Sequence, residues 1–142
     1  MIIDEVQELF SQVQDSAERI LDTMHKGLSM ENAHIIADSV HSLNASLAVL
    51  ASFENEKIFP LLQKSPERSA KLYGEKYARE ISRLASRISA YAASYCDADS
   101  VFASQHNFPP VTDFLLESLL NNMDRQKDEI FPILRKTEIQ SI

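Results

Sequence analysis

Apolar side chains recur every three or four residues along most of the chain, the spacing that lays one stripe along a helix. From Ile3 they run through Val6, Phe10, Val13, Ala17, Ile20, Leu21, Met24 and Leu28, predicting a first helix over about 3–26. Gly27 supplies a left-handed stop, and Ser29 can cap the next helix with Glu31 favourably placed in its first turn. The second helix is predicted over about 30–62, burying Ala33, Ile36, Val40, Leu43, Leu47, Leu50 and Ile58. Ser65, Pro66 and Glu67 read as a start signal, a capping serine followed by a proline whose missing N–H is harmless there. The third helix, about 66–96, carries Tyr73, Tyr77, Ile81, Leu84, Ile88, Tyr91 and Tyr95.

Between Asp97 and Pro110 the pattern weakens around a Pro-Pro pair, so this segment reads as a long loop with at most one helical turn near Val101 to Ser104. A fourth helix is predicted over about 111–136, burying Leu115, Leu119, Met123, Ile130 and Ile133. Four amphipathic helices joined mostly by short connections specify an all-α, up-down-up-down four-helix bundle, a single domain over 1–142.

Composition narrows the class. The chain has 142 residues, 44% of them hydrophobic, and only 2 Gly with 5 Pro, too few turn formers for an all-β domain. Such a length buries a sufficient core without a disulfide or metal staple. A net charge of −7 has the wrong sign for holding phosphates, which argues against nucleic acid and anionic membrane as partners. The lone Cys96 forms no internal disulfide, and the acidic start with Asp4 and Glu5 lacks a secretion signal, so a cytoplasmic location is expected. No uninterrupted apolar run approaches the length of a bilayer span.

The second and fourth helices end alike. Ile58, Phe59, Pro60, Leu61, Leu62 and Lys64 align with Ile130, Phe131, Pro132, Ile133, Leu134 and Lys136. Placing Gln14 on Ala78 aligns Ala17, Ile20, Leu21 and Met24 with Ile81, Leu84, Ala85 and Ile88, more loosely. A duplicated helical hairpin closing on its own copy accounts for both matches.

Through these two Ile-Phe-Pro ends the chain resembles the hemerythrin-like, HHE cation-binding bundles, bacterial-type proteins that hold two irons. The resemblance implies one histidine from each of the first and third helices and a His-x-x-x-Glu pair from each of the second and fourth. Residue by residue, the pairs fall on Leu50 with Glu54 and on Asn122 with Gln126, and the single histidines on Gln14 and Ala78. Only Glu54 is of a ligand type. His25, His34, His41 and His106 lie elsewhere, so the resemblance implies the fold with a vestigial pocket and without the metal cofactor.

Glu54, Asn122 and Gln126 are expected either to line that pocket or to form a satisfied polar layer, because an unpaired buried carboxylate is expensive. His34, Asp38 and His41 share one helical face, readable as a partial zinc set or as a solvated face. The four tyrosines are expected to pack in the core with hydroxyls reaching solvent or backbone, the alternative being a small-molecule cavity. Cys96 has no cationic neighbour in sequence and reads as an inert thiol. No nucleophile triad or phosphate-cradling loop is present, which argues against an enzyme.

The expected role is a metal-free interaction or regulatory module, with a metal or small-ligand sensor of oxygen or stress as the alternative. A protein partner is expected, with a homodimer the commonest arrangement. Two surfaces are candidates for it: the small-residue run Ala85, Ser86, Ser89, Ala90, Ala92 and Ala93, and the 97–110 segment with Val101, Phe102 and Phe108.

Overall fold

A computed structural model describes residues 1–140, with side chains described through Glu138. The protein is all-α, with no strand among the described residues. Four long helices dominate: α1 (Ile2–His25), α2 (Met30–Phe53), α4 (Arg68–Ser94) and α6 (Phe108–Glu129). Three shorter ones complete the chain: α3 (Phe59–Gln63), α5 (Ala98–Ala103) and α7 (Phe131–Gln140). The long helices α1 and α4 each pack on both α2 and α6, while α3 lies on α4, α5 on α2, and α7 on α1 and α6. One hydrophobic cluster, from Ile3 to Leu134, draws on every one of these elements.

The first turn between helices forms as its residues dictate. Gly27 takes φ +104, and the Ser29 side chain accepts the Asn32 N–H at 3.1 Å to cap α2. Asn32 closes the turn by donating to the Gly27 carbonyl at 2.7 Å. At the next start the expectation was two residues early. Ser65 accepts the Glu67 N–H at 3.2 Å, making a local turn ahead of a helix that begins at Arg68. Helix α4 then passes α3 so closely that a Cβ at Gly74 would stand 3.2 Å from Leu62 Cβ.

The second helix is not continuous to Leu62. After Phe53 it widens into a π-helical stretch over Glu54–Ile58, where the Phe59 N–H reaches back to the Glu54 carbonyl, and then resumes as α3. The cause lies two residues on. Pro60 lacks an N–H and its ring crowds the preceding turn, and the extra residue of a π turn makes room for both effects. The fourth helix breaks at the equivalent place, α6 ending at Glu129 and α7 starting at Phe131 with Pro132 second. The hinge residues Ile58 (φ −93, ψ −57) and Ile130 (φ −95, ψ −44) take similar conformations. Sequence similarity between the two ends is therefore matched by a shared local geometry.

The 97–110 segment departs from a loop. Asp97 and Ser100 form a reciprocal capping box that starts α5, and α6 begins at Phe108, so Pro109 and Pro110 occupy its first turn. Val101 and Phe108 are fully buried and Phe102 packs partly against the core. Phe108 lies against Tyr91 and Tyr95, with ring centroids 6.0 and 4.8 Å apart. This removes Phe102 and Phe108 as a docking surface: the segment covers one end of the core.

Met30–Gln63 contains an 18-residue window of mean hydropathy 1.3 and is long and apolar enough to cross a membrane by length and composition. Ser, Asn and His are interspersed along it, so it contains no uninterrupted apolar run of that length. Its core-facing stripe packs on α1, α4 and α5, and a helix inside a globular core satisfies the same criterion.

If the two Ile-Phe-Pro corners are equivalent core features, Phe59→Ala and Phe131→Ala should each cost ~3–5 kcal/mol in denaturant unfolding. Phe131 also loses its contact with Phe10, whose ring centroid is 5.0 Å away. Near-neutral results for both would dissolve the proposed repeat.

Candidate functional site

Of the six pocket positions, the structure buries four. Leu50 and Gln126 are fully buried and Glu54 and Asn122 are 1% exposed, whereas Gln14 and Ala78 are only half-buried. Leu50 and Glu54 lie one turn apart, with Glu54 opening the π stretch; Asn122 and Gln126 lie one turn apart on α6. The Gln126 side chain neighbours the Glu54 carboxyl.

A directional chain of hydrogen bonds leaves this point for the surface. Gln126 Nε2 donates to Asn122 Oδ1 at 2.8 Å, and Asn122 Nδ2 donates to Glu80 Oε2 at 2.7 Å. Arg125 Nη2 donates to the same Glu80 oxygen at 3.2 Å. Each link fixes the next: because Glu80 takes the Asn122 amide hydrogens, Asn122 offers its carbonyl oxygen, and Gln126 must meet it with nitrogen. Gln126 Oε1 is then left without a donor, as are both Glu54 oxygens.

The expectation of a fully satisfied polar layer is thus corrected at its inner end. Burial pushes the Glu54 carboxyl up to about 8, opposed by the neighbouring Gln126 side chain, although no hydrogen bond of good geometry joins the two. At neutral pH the carboxyl is mainly protonated, which removes the buried charge. The arrangement can hold a proton. It offers no imidazole at the positions where the hemerythrin-like pattern requires four, since Gln14, Leu50, Ala78 and Asn122 stand there. That donor set does not fit two irons, and no reaction step is derived through them. Among the described residues no group of three or more His, Cys, Asp or Glu side chains is placed to hold a metal ion.

The remaining candidates have structural partners. His41 donates from Nε2 to the Cys96 carbonyl at 2.6 Å, tying α2 to the connection that follows α4 and giving one member of the His34, Asp38, His41 trio a structural partner. His25 pairs with Asp113 at 3.0 Å. Cys96 is exposed, with its thiol 4.0 Å from Asp97 Oδ2. Tyr77 is fully buried and donates to Glu129 Oε1 at 2.7 Å, and the Tyr91 hydroxyl meets Thr112 Oγ1 at 2.8 Å. These hydroxyls reach side chains, where backbone or solvent was expected.

Sequence reasoning missed Glu80 and Arg125, which carry the chain of hydrogen bonds outward. Neither lies on an apolar stripe, and the signal available was only that Arg125 precedes Gln126 and Glu80 lies one turn from Leu84 on α4. No protein-family model, no curated protein and no solved structure matches this chain.

The raised Glu54 value sets a pH dependence. Below pH 4.5 the carboxyl is protonated in both folded and unfolded chains. Between 4.5 and about 8 the unfolded chain releases a proton that the folded chain retains, so stability falls as pH rises, by a total on the order of 5 kcal/mol. Glu54→Gln cannot ionise. Its stability advantage over the wild type should therefore be near zero at pH 4.5 and grow steadily to pH 8, other titrating groups cancelling in the difference. Thermal unfolding of both proteins across that range checks this, and a difference independent of pH would contradict it.

Proposed function

We propose that this protein is an up-down-up-down four-helix bundle of the hemerythrin-like kind whose metal pocket has lapsed into a protonated polar layer, and that it works as a protein-interaction or regulatory module rather than as an enzyme. The observation that carries this reading is the set of side chains at the bundle centre. Glu54, Asn122 and Gln126 converge at the height where the family pattern places ligands, and Leu50 packs where it places an imidazole. The ring of contacts among the four long helices and the like corners at Pro60 and Pro132 support the same architecture.

A chain without catalytic constellation or cofactor acts through its surface, and a net charge of −7 disfavours nucleic acid and anionic lipid. Protein partners of the cytoplasm are the class that remains. Self-association is the first to examine, with the exposed Ser86, Ser89 and Ala93 of α4 as the close-approach face. The other reading, a sensor that binds iron or a small ligand at the altered centre, draws support from Glu54 alone.

Protein purified without chelator should carry only substoichiometric iron and zinc, and chelator should leave its thermal midpoint unchanged. Stoichiometric metal with a chelator-induced drop of several degrees would replace this reading with the sensor. Light scattering at high micromolar concentration should show a dimer that Ser89→Arg reduces to monomer, and a wild-type monomer would remove self-association from the proposal.

A further inference from the structure

Charge is distributed unevenly. Helix α4 carries Arg68, Lys71, Lys76, Arg79, Arg83 and Arg87 against Glu75 and Glu80, a net +4 within a chain of net −7. Arg79, Arg83 and Arg87 recur every four residues on one exposed face, and the same face continues as Ala90 and Ser94. A basic half of the helix thus passes into a small, uncharged half.

Helix α6 supplies the facing wall. Where Ala90, Tyr91 and Tyr95 meet Val111, Phe114 and Leu115, the two helices leave an open, mostly apolar groove of about 670 Å³. Phe114 is 70% exposed at its rim and Val111 44%, the largest such pairing of apolar side chains on neighbouring turns. Directly along the seam lies a smaller hollow of about 150 Å³, bordered by Arg83, Arg87, Arg125, Glu80, Ser118 and the buried Asn122. Arg87 borders both cavities, which thus adjoin along the α4–α6 seam as a trough with an apolar end and a cationic end. Arg125 is paired with Glu80, whereas Arg83 and Arg87 make no ion pair among the described residues. Three guanidiniums against one carboxylate leave an excess of positive charge. From Arg83 to Ser94 the trough extends about 16 Å at about 1.5 Å per residue.

We propose that this trough binds a monomeric amphiphilic anion, a medium-chain aliphatic carboxylate being the simplest form, with its head group held by Arg83 and Arg87 and its chain laid between Tyr91 and Phe114. The head-group end is bounded on its inner side by Asn122 and admits a group of carboxylate size, which two free guanidiniums recognise through charge-assisted hydrogen bonds. The groove's volume falls within the range of small-ligand sites, and covering Phe114 and Val111 supplies an apolar driving force. The site is at the surface of α4 and α6 and meets the buried polar layer at Asn122.

The test is calorimetric titration of the full chain with dodecanoate below its micelle concentration, with dodecyltrimethylammonium and dodecanol as matched probes. Saturable one-to-one binding of dodecanoate alone is expected, weakened by added salt. Arg83→Ala combined with Arg87→Ala should weaken it by about tenfold or more, and Phe114→Ser by severalfold. All three side chains are exposed, so unchanged thermal midpoints will show that the variants fold; Arg87→Lys, which retains charge without the fork, should lie between them and the wild type. Equal binding of the cationic probe, or indifference to the arginine variants, would overturn the proposal. So would binding only to anionic lipid vesicles, or loss of dimerisation in Phe114→Ser without any dodecanoate binding, outcomes that reassign the trough to a membrane or to a second copy of the chain.

Discussion

A proline inside a helix takes away one hydrogen-bond donor and pushes against the turn before it, and both consequences shape this protein at two places. At Pro60 the helix answers by opening a π turn over Glu54–Ile58; at Pro132 it answers by ending at Glu129 and restarting at Phe131. The change of direction seats Ile58, Phe59 and Leu62 against the core and brings α3 onto α4 at Gly74, where no larger residue fits without moving Leu62. Phe131 and Leu134 are seated in the same way from the other side. The two corners close the same end of the core from opposite helices, which is why the aromatic before each proline matters as much as the proline.

The π turn also decides the chemistry of the interior. It begins at Glu54, and the carboxyl it carries is almost completely removed from water with no donor to receive it. An ionised carboxylate there would cost several kcal/mol, so the group keeps its proton into the neutral range. The amide chain from Gln126 through Asn122 to Glu80 has its orientations fixed by the carboxylate at its outer end, and at its inner end the Gln126 side chain only partly offsets the effect of burial on the Glu54 carboxyl. The polarity of the whole line is thus set from the surface, by Glu80 and the Arg125 guanidinium paired with it.

Much of the all-α architecture was legible because apolar spacing is a direct consequence of helical geometry, and the turn at Gly27 with the cap at Ser29 followed from backbone rules alone. The failures have equally local causes. A Pro-Pro pair reads as a loop, yet proline is at home in a helix's first turn, and only the burial of Phe108 decides between the two at Pro109 and Pro110. Ser65 satisfies the same rule as Ser29 but spends its oxygen on Glu67, two residues ahead of itself, and the helix starts only at Arg68. The π stretch carries no pattern of its own, since one extra residue in a turn leaves the flanking stripe nearly unchanged. At the site, the positions Leu50, Glu54, Asn122 and Gln126 were readable by counting back from the prolines, whereas their partners were not: the link to Glu80 spans 42 residues of sequence and exists only once α4 lies beside α6.

That last contact joins the interior to the exterior trough. Asn122 is buried to 1%, gives its amide to Glu80, and at the same time borders the hollow between Arg83, Arg87 and Arg125. Glu80 therefore balances two demands, accepting from the interior amide and neutralising one of the three surrounding guanidiniums. Of the buried polar residues at the centre, Asn122 is therefore the one that also borders the cationic hollow, and a single carboxylate, Glu80, holds it in both places.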